Sequence, residues 1–203
     1  MPATSAIEEL HKDHEMLKRD IADLAVRLRE LGESPEVMQE ALNGSLRDRL
    51  VYFHAGLRLH FRREEEALFP DARRMVSDGA AKVDIIGRFF GEEADDDLNA
   101  HAALGSRVEE MIAILERVQA AGALDEQSRT RLRALFSVVD SLFQRHATKE
   151  DRFIFPMVAR ALTPAQQQAV LDRLAAIRPE QDPTDPRMRR GKGLTELNAE
   201  ADE

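Results

Sequence analysis

The 203 residues include no cysteine, no tryptophan and a single tyrosine, Tyr52. The first absence excludes disulfides, iron–sulfur clusters, thiolate zinc sites and a cysteine nucleophile. Glycine and proline are few, at 10 and 8. Val, Ile and Thr together make only 25 residues, so strand-forming types are scarce. No run approaches the roughly 18 consecutive apolar residues of a membrane span. Positive charge is in deficit, with 29 Lys+Arg against 38 Asp+Glu and a formal net charge of -9. That balance argues against nucleic-acid or anionic-membrane partners, which select a basic surface. The first residues lack a basic stretch followed by an apolar one, so no secretory signal is expected and a cytoplasmic location is the default.

What is abundant is Ala, Leu, Glu and Arg, the composition of a mostly helical chain. The expected class is all-α. Ile7, Leu10, His14, Leu17, Ile21, Leu24, Leu28 and Leu31 recur at steps of three and four, one stripe on one helical face. Gly32 ends that helix, and Ser34-Pro35 supply the cap and first-turn proline of the next. The second stripe runs through Leu42, Leu46, Leu50, Phe53, Leu57, His60, Glu64 and Ala67 to Phe69-Pro70. A weaker stretch broken by Gly79, Gly87 and Gly91 reads as a helical extension and an irregular crossover. The third helix is expected from about Asp95 to Ala121, with His101, Leu104, Val108, Met111, Leu115 and Val118 in register. After Gly122 and a cap at Asp125, the fourth carries Leu132, Leu135, Val139, Leu142, His146, Glu150, Phe153 and Met157. Thr163-Pro164 opens a short fifth helix. Residues 1–161 therefore read as one four-helix domain, 162–178 as an extra helix, and 179–203, rich in Asp, Pro and Arg, as a flexible tail.

Six polar residues interrupt the stripes: His14, His60 with Glu64, His101, and His146 with Glu150. A buried carboxylate needs a cation, and no Lys or Arg lies on these stripes. A metal ion satisfies all six groups together. The spacing brings them to one height: each His-x-x-x-Glu pair lies one turn apart on one face. In antiparallel helices, residues equidistant from a turn are level. His14 and His60 flank Val37 equally, His101 and His146 the Ala123–Leu124 junction, and Glu64 and His101 the Lys82–Val83 junction. The chain also repeats itself. His60-Phe-Arg-Arg-Glu64 through Phe69-Pro70 aligns with His146-Ala-Thr-Lys-Glu150 through Phe155-Pro156 at an offset of 86, and His14 aligns with His101 at 87. Two helix pairs, each giving His plus His-x-x-x-Glu, suit two metals bridged by two carboxylates.

Through Asp13-His14, His60-x-x-x-Glu64, His101, His146-x-x-x-Glu150 and the two Phe-Pro ends, residues 5–160 resemble the hemerythrin-like proteins with the HHE cation-binding domain. The resemblance implies an up-down-up-down four-helix bundle around a non-haem di-iron centre. His14 and His60 would serve one iron, His101 and His146 the other, with Glu64 and Glu150 bridging. Imidazole and carboxylate donors without thiolate suit iron or manganese, and helix bundles commonly house such centres. Ferritin-like proteins use Glu-x-x-His instead. One departure stands out: where five-histidine oxygen carriers have a second third-helix histidine one turn from the ligand, this chain has Asp97 and Gly105. Asp97 is a candidate third carboxylate ligand, or an acid at a helix start interacting with the dipole. A reversible five-histidine carrier is therefore not expected.

Other residues have plainer readings. His11 and His54 flank the stripes, either as further metal ligands or, more simply, as outer or surface residues. Glu65 and Asp151 follow the two bridging positions, either as acceptors for ligand histidines or as a solvated face. Tyr52 reads as packing; Phe61, Phe69, Phe153 and Phe155 read as core that keeps a site dry. Glu92 to Asp97 is an acidic helix start. The expected function is cation binding by a di-iron protein that binds, senses or handles dioxygen, nitric oxide or peroxide, or serves iron homeostasis. The alternatives are an oxidoreductase consuming peroxide or nitric oxide on the same residues, and a metal-free helical interaction protein. Relatives that repair iron–sulfur clusters carry a cysteine-bearing N-terminal segment, so that role is not expected.

Overall fold

The computed structural model describes residues 5–77 and 93–177, with the backbone alone for 75–77 and 93–98. The expected crossover, the side chains of the 92–97 acidic run, Asp97 included, and the 179–203 tail lie outside the described residues. Among those described there is no strand, and no helix is long and apolar enough to cross a membrane. The class is all-α, as the composition requires.

In chain order the elements are α1 (Ala6–Glu30), α2 (Pro35–Asn43), α3 (Ser45–Arg62), a first π-helical segment (Arg63–Leu68) and α4 (Phe69–Ser77). Then come α5 (Glu93–Ala121), α6 (Glu126–Lys149), a second π-helical segment (Glu150–Ile154), α7 (Phe155–Ala161) and α8 (Pro164–Ala176). Starts are capped as the sequence suggests. The Ser34 hydroxyl accepts from Val37 N at 3.3 Å, and Asp125 Oδ1 from Ser128 N at 2.7 Å. Thr163 and Gln166 form a reciprocal capping box, with Thr163 N donating to Gln166 Oε1 at 2.9 Å.

One departure is the second helix, which breaks in two. Gly44 adopts φ 89°, a left-handed conformation that a side chain resists. A Cβ there would also lie 2.9 Å from the Gln119 amide. The break turns α2 so that it buries Val37 and Ala41, while Leu42 of the expected stripe is only half-buried.

The chain divides into two compact units. One comprises Leu17–Leu57 and Gly105–Ser141 among the described residues. Its core is the apolar stripes themselves, Leu17 to Leu31, Leu46 to Leu57, Leu115 and Leu132 among them, all buried. There Arg133 closes the C-terminus of α1, donating to Leu28 O at 3.0 Å and Leu31 O at 3.1 Å, carbonyls that a helix end leaves without partners. The other unit comprises residues up to Met16, Arg58–Leu104 and Leu142 onward. Its core gathers Leu10, Leu68, Phe69, Phe155, Val158, Val170 and Leu174, and it holds all six polar residues of the stripes.

Candidate metal centre

Each of the six residues stands on a helical element. His14 lies on α1, His60 near the end of α3, His101 on α5 and His146 near the end of α6. Glu64 is the second residue of the first π segment, and Glu150 opens the second. These segments have a local cause. Phe-Pro follows each Glu at the fifth and sixth residues, and a proline ring inside an α-helix clashes with the carbonyl four residues back. A widened turn removes the clash. Accordingly Phe69 N donates to Glu64 O and Phe155 N to Glu150 O, both five residues back.

The side chains converge in the unit's interior. His14, His60, Glu64 and Glu150 are fully buried, and His101 and His146 are 5% and 4% exposed. Glu150 Oε2 lies 3.2 Å from both His14 Nε2 and His146 Nε2. Glu64 stands 3.2 Å from His60 Nε2 through one oxygen and 3.3 Å from His101 Nε2 through the other. His101 and His146 bring their Nε2 atoms within 3.3 Å. Two groups result, His14, His60, Glu64, Glu150 and Glu64, His101, His146, Glu150, each with donor atoms within 4.8 Å of one another. Both carboxylates belong to both groups. Donors sharing one ion at about 2.1 Å in an octahedral arrangement lie about 3.0 Å apart, close to these spacings. His14 Nε2, both nitrogens of His60 and both oxygens of Glu150 are buried and make no hydrogen bond. Facing one another at ion-pair distance but without hydrogen bonds, polar atoms at this depth carry a desolvation cost that a shared cation would offset. The residues fit a metal pair.

The rings are held from behind. His14 Nδ1–H donates to Asp151 Oδ1 at 2.7 Å, and His101 Nδ1–H to Glu65 Oε1 at 2.7 Å. So placed, the two carboxylates hold the proton on each outward nitrogen and leave Nε2 as the atom that would face a metal. The two bonds cross the internal repeat: the first repeat's Glu65 holds the second's His101, and the second's Asp151 holds the first's His14. Asp13 Oδ2 lies 3.6 Å behind His60 Nδ1, gripped by Arg63 Nη1 at 2.7 and 2.8 Å. Aromatic rings complete the lining. Phe61 stacks on His101 at 3.8 Å between centroids, Phe155 stacks on His14 at 5.4 Å, and Phe143 meets His14 edge-on.

Without a metal, burial and charged neighbours shift His14, His60, Glu150 and Asp13 from their ordinary values. Burial opposes the charge on His14, yet Asp151 and Glu150 outweigh it and lift the imidazole to about 9. Burial pushes His60 down to about 4, with Asp13 opposing and His14 assisting. The Glu150 carboxyl is held below the ordinary range: burial raises it, but the charges of His146 and His14 prevail. Burial likewise raises Asp13, and its contacts with His60 and Arg63 bring it below its usual value.

Other candidates fall elsewhere. His11 stands outside both groups, its Nε2 3.4 Å from Asp151 Oδ1. His54 belongs to the other unit, 3.7 Å from Glu109. Tyr52 is buried among packing residues, while Phe61, Phe69 and Phe155 are core as expected. Phe153 is not: it is 56% exposed, because the widened second π turn carries it off the α-helical face that spacing assigned it. The Arg63–Asp13 pair behind His60 was not singled out in the sequence. Its only signal is an acid beside a stripe histidine, a pattern too common to read alone.

A family model described as the hemerythrin HHE cation binding domain matches residues 5–157. No curated protein and no solved structure matches the chain.

Proposed function

This chain belongs to the hemerythrin HHE cation-binding domain family, and from that premise we propose that it is a cytoplasmic di-iron protein handling dioxygen, nitric oxide or peroxide. In this reading His14 and His60 hold one ion and His101 and His146 the other, while Glu64 and Glu150 serve both. The observation that carries it is the sharing of two fully buried carboxylates between two groups of four donors. A bound iron pair supplies one- and two-electron exchange with a small ligand. The chain's own residues do the rest. Six donors bind the pair, and the two shared carboxylates keep it together as its charge changes. Asp151 and Glu65 keep protons on the outward nitrogens of His14 and His101. Phe61, Phe143 and Phe155 exclude water, which favours small neutral ligands over hydrated ions. Four imidazoles and two carboxylates, without thiolate, suit iron or manganese.

The test is an anaerobic ferrous titration of the metal-free protein, followed by air, with the optical spectrum recorded throughout. Two irons per chain, with near-ultraviolet charge-transfer absorption developing in air, are expected. Decay of that absorption with consumption of the small ligand marks turnover, and persistence marks stable binding. No uptake, or one iron per chain, overturns the reading.

A further inference from the structure

Helix α8 lies beyond residues 5–157, yet it reaches back to the turn that carries Glu64. Arg173 donates to the carbonyl of the buried Ala67 through Nη2 at 2.8 Å and Nε at 3.2 Å. Its guanidinium also pairs with the carboxylate of Asp71, itself buried. Ala67 lies in the first π segment, three residues after Glu64 and two after Glu65. Beneath this fork Val170, Leu174 and Ile177 share one core with Ile7, Leu10, Ala67, Leu68 and Ala72. The contact has no counterpart built from the same residue types in the second repeat, where Met157 stands at the place of Asp71.

A π turn is wider and less favourably bonded than an α turn, so it persists only when its surroundings hold it. A planar guanidinium satisfying a backbone carbonyl and a buried carboxylate together holds both in fixed geometry. We propose that Arg173 is a positioning residue for the metal centre. By fixing the carbonyl end of the first π turn it aims Glu64, a shared donor, and Glu65, which orients His101. Metal occupancy and docking of α8 are then linked: whatever strengthens one strengthens the other by the same factor. This rests on the metal-pair reading above.

The experiment is a cobalt(II) titration of the metal-free full chain, reading affinity, stoichiometry and the visible spectrum, for the parent, Arg173→Ala, Arg173→Lys and Leu174→Ala. Arg173→Ala is expected to weaken uptake about tenfold and to change the cobalt spectrum, with partial recovery in Arg173→Lys. Leu174→Ala removes α8 packing but keeps the guanidinium, so it lowers stability and leaves the spectrum as in the parent. Parent-like affinity and spectrum in Arg173→Ala overturn the proposal, as does an equal spectral change in Leu174→Ala. Should Arg173→Ala fail to fold, amide exchange of the parent decides: cobalt must slow exchange across residues 164–176, and unchanged exchange overturns the coupling. A parent that takes up no cobalt fails differently, overturning the metal reading and this one with it.

Discussion

A neutral imidazole offers a metal one lone pair only while its other nitrogen keeps the proton, so the residue behind a ligand histidine matters nearly as much as the ligand. Asp151 and Glu65 have that place behind His14 and His101, each at 2.7 Å. Asp151→Asn retains the shape and removes the charge. It is expected to weaken metal uptake about tenfold while leaving far-ultraviolet circular dichroism unchanged; calorimetric titration beside the parent checks this, and equal affinity contradicts it. The positions of Glu65 and Asp151 were legible, since each follows a stripe Glu at a matching place in the repeat. Their partners were not, because both bonds join one repeat to the other, and spacing within a helix carries no information about a neighbour 36 or 137 residues away. Arg63 was illegible for the same reason: its grip on Asp13 spans 50 residues.

At the scale of elements, apolar spacing placed the helices and the cap residues placed several of their starts, because both are local. The two π segments escaped, although Pro70 and Pro156 announced them: proline inside a helix demands relief at the preceding turn. Periodicity assumes a constant 100° per residue, so it put Phe153 in the core and kept Leu42 on the second stripe. The wider turn at Glu150 and the left-handed Gly44 each reset that count. The π turns matter because they set the direction in which the two carboxylates leave the helix. Deleting the exposed Glu66 together with Pro70→Ala restores an unbroken α-helix through the first turn. Helix content is expected to stay as in the parent, and metal affinity to fall at least about tenfold, as when the groups supporting a ligand are removed. Parent-like uptake of two ions by this variant would show the π turn to be dispensable.

For the molecule as a whole, the buried cluster makes stability a function of pH and metal. In the metal-free protein His14, raised to about 9, keeps a proton that the unfolded chain releases near 6.5. Its contribution is full below about 6.5 and is lost as pH rises through about 9. His60, lowered to about 4, refuses a proton that the unfolded chain accepts. Its contribution is full above about 6.5 and is lost as pH falls through about 4. Denaturant unfolding of the metal-free protein is therefore expected to give maximal stability near neutrality, falling on both sides; a monotonic profile between pH 4 and 9 contradicts it. Free metal at a hundred times its dissociation constant adds about 2.7 kcal/mol for each ion bound to the folded state alone. A chelator should then lower Tm, and a Tm indifferent to ferrous iron would count against the site.

By itself the sequence determined the helical class, the apolar faces, most caps and the six polar residues that no core would hold without a cation. These follow from short-range rules of composition, spacing and capping. Tertiary structure alone decided which carboxylate faces which histidine, how the π turns aim Glu64 and Glu150, and that Arg173 of the last described helix returns to the first π turn. Those outcomes depend on contacts between residues far apart in the chain, and such contacts form only when packing brings the helices together.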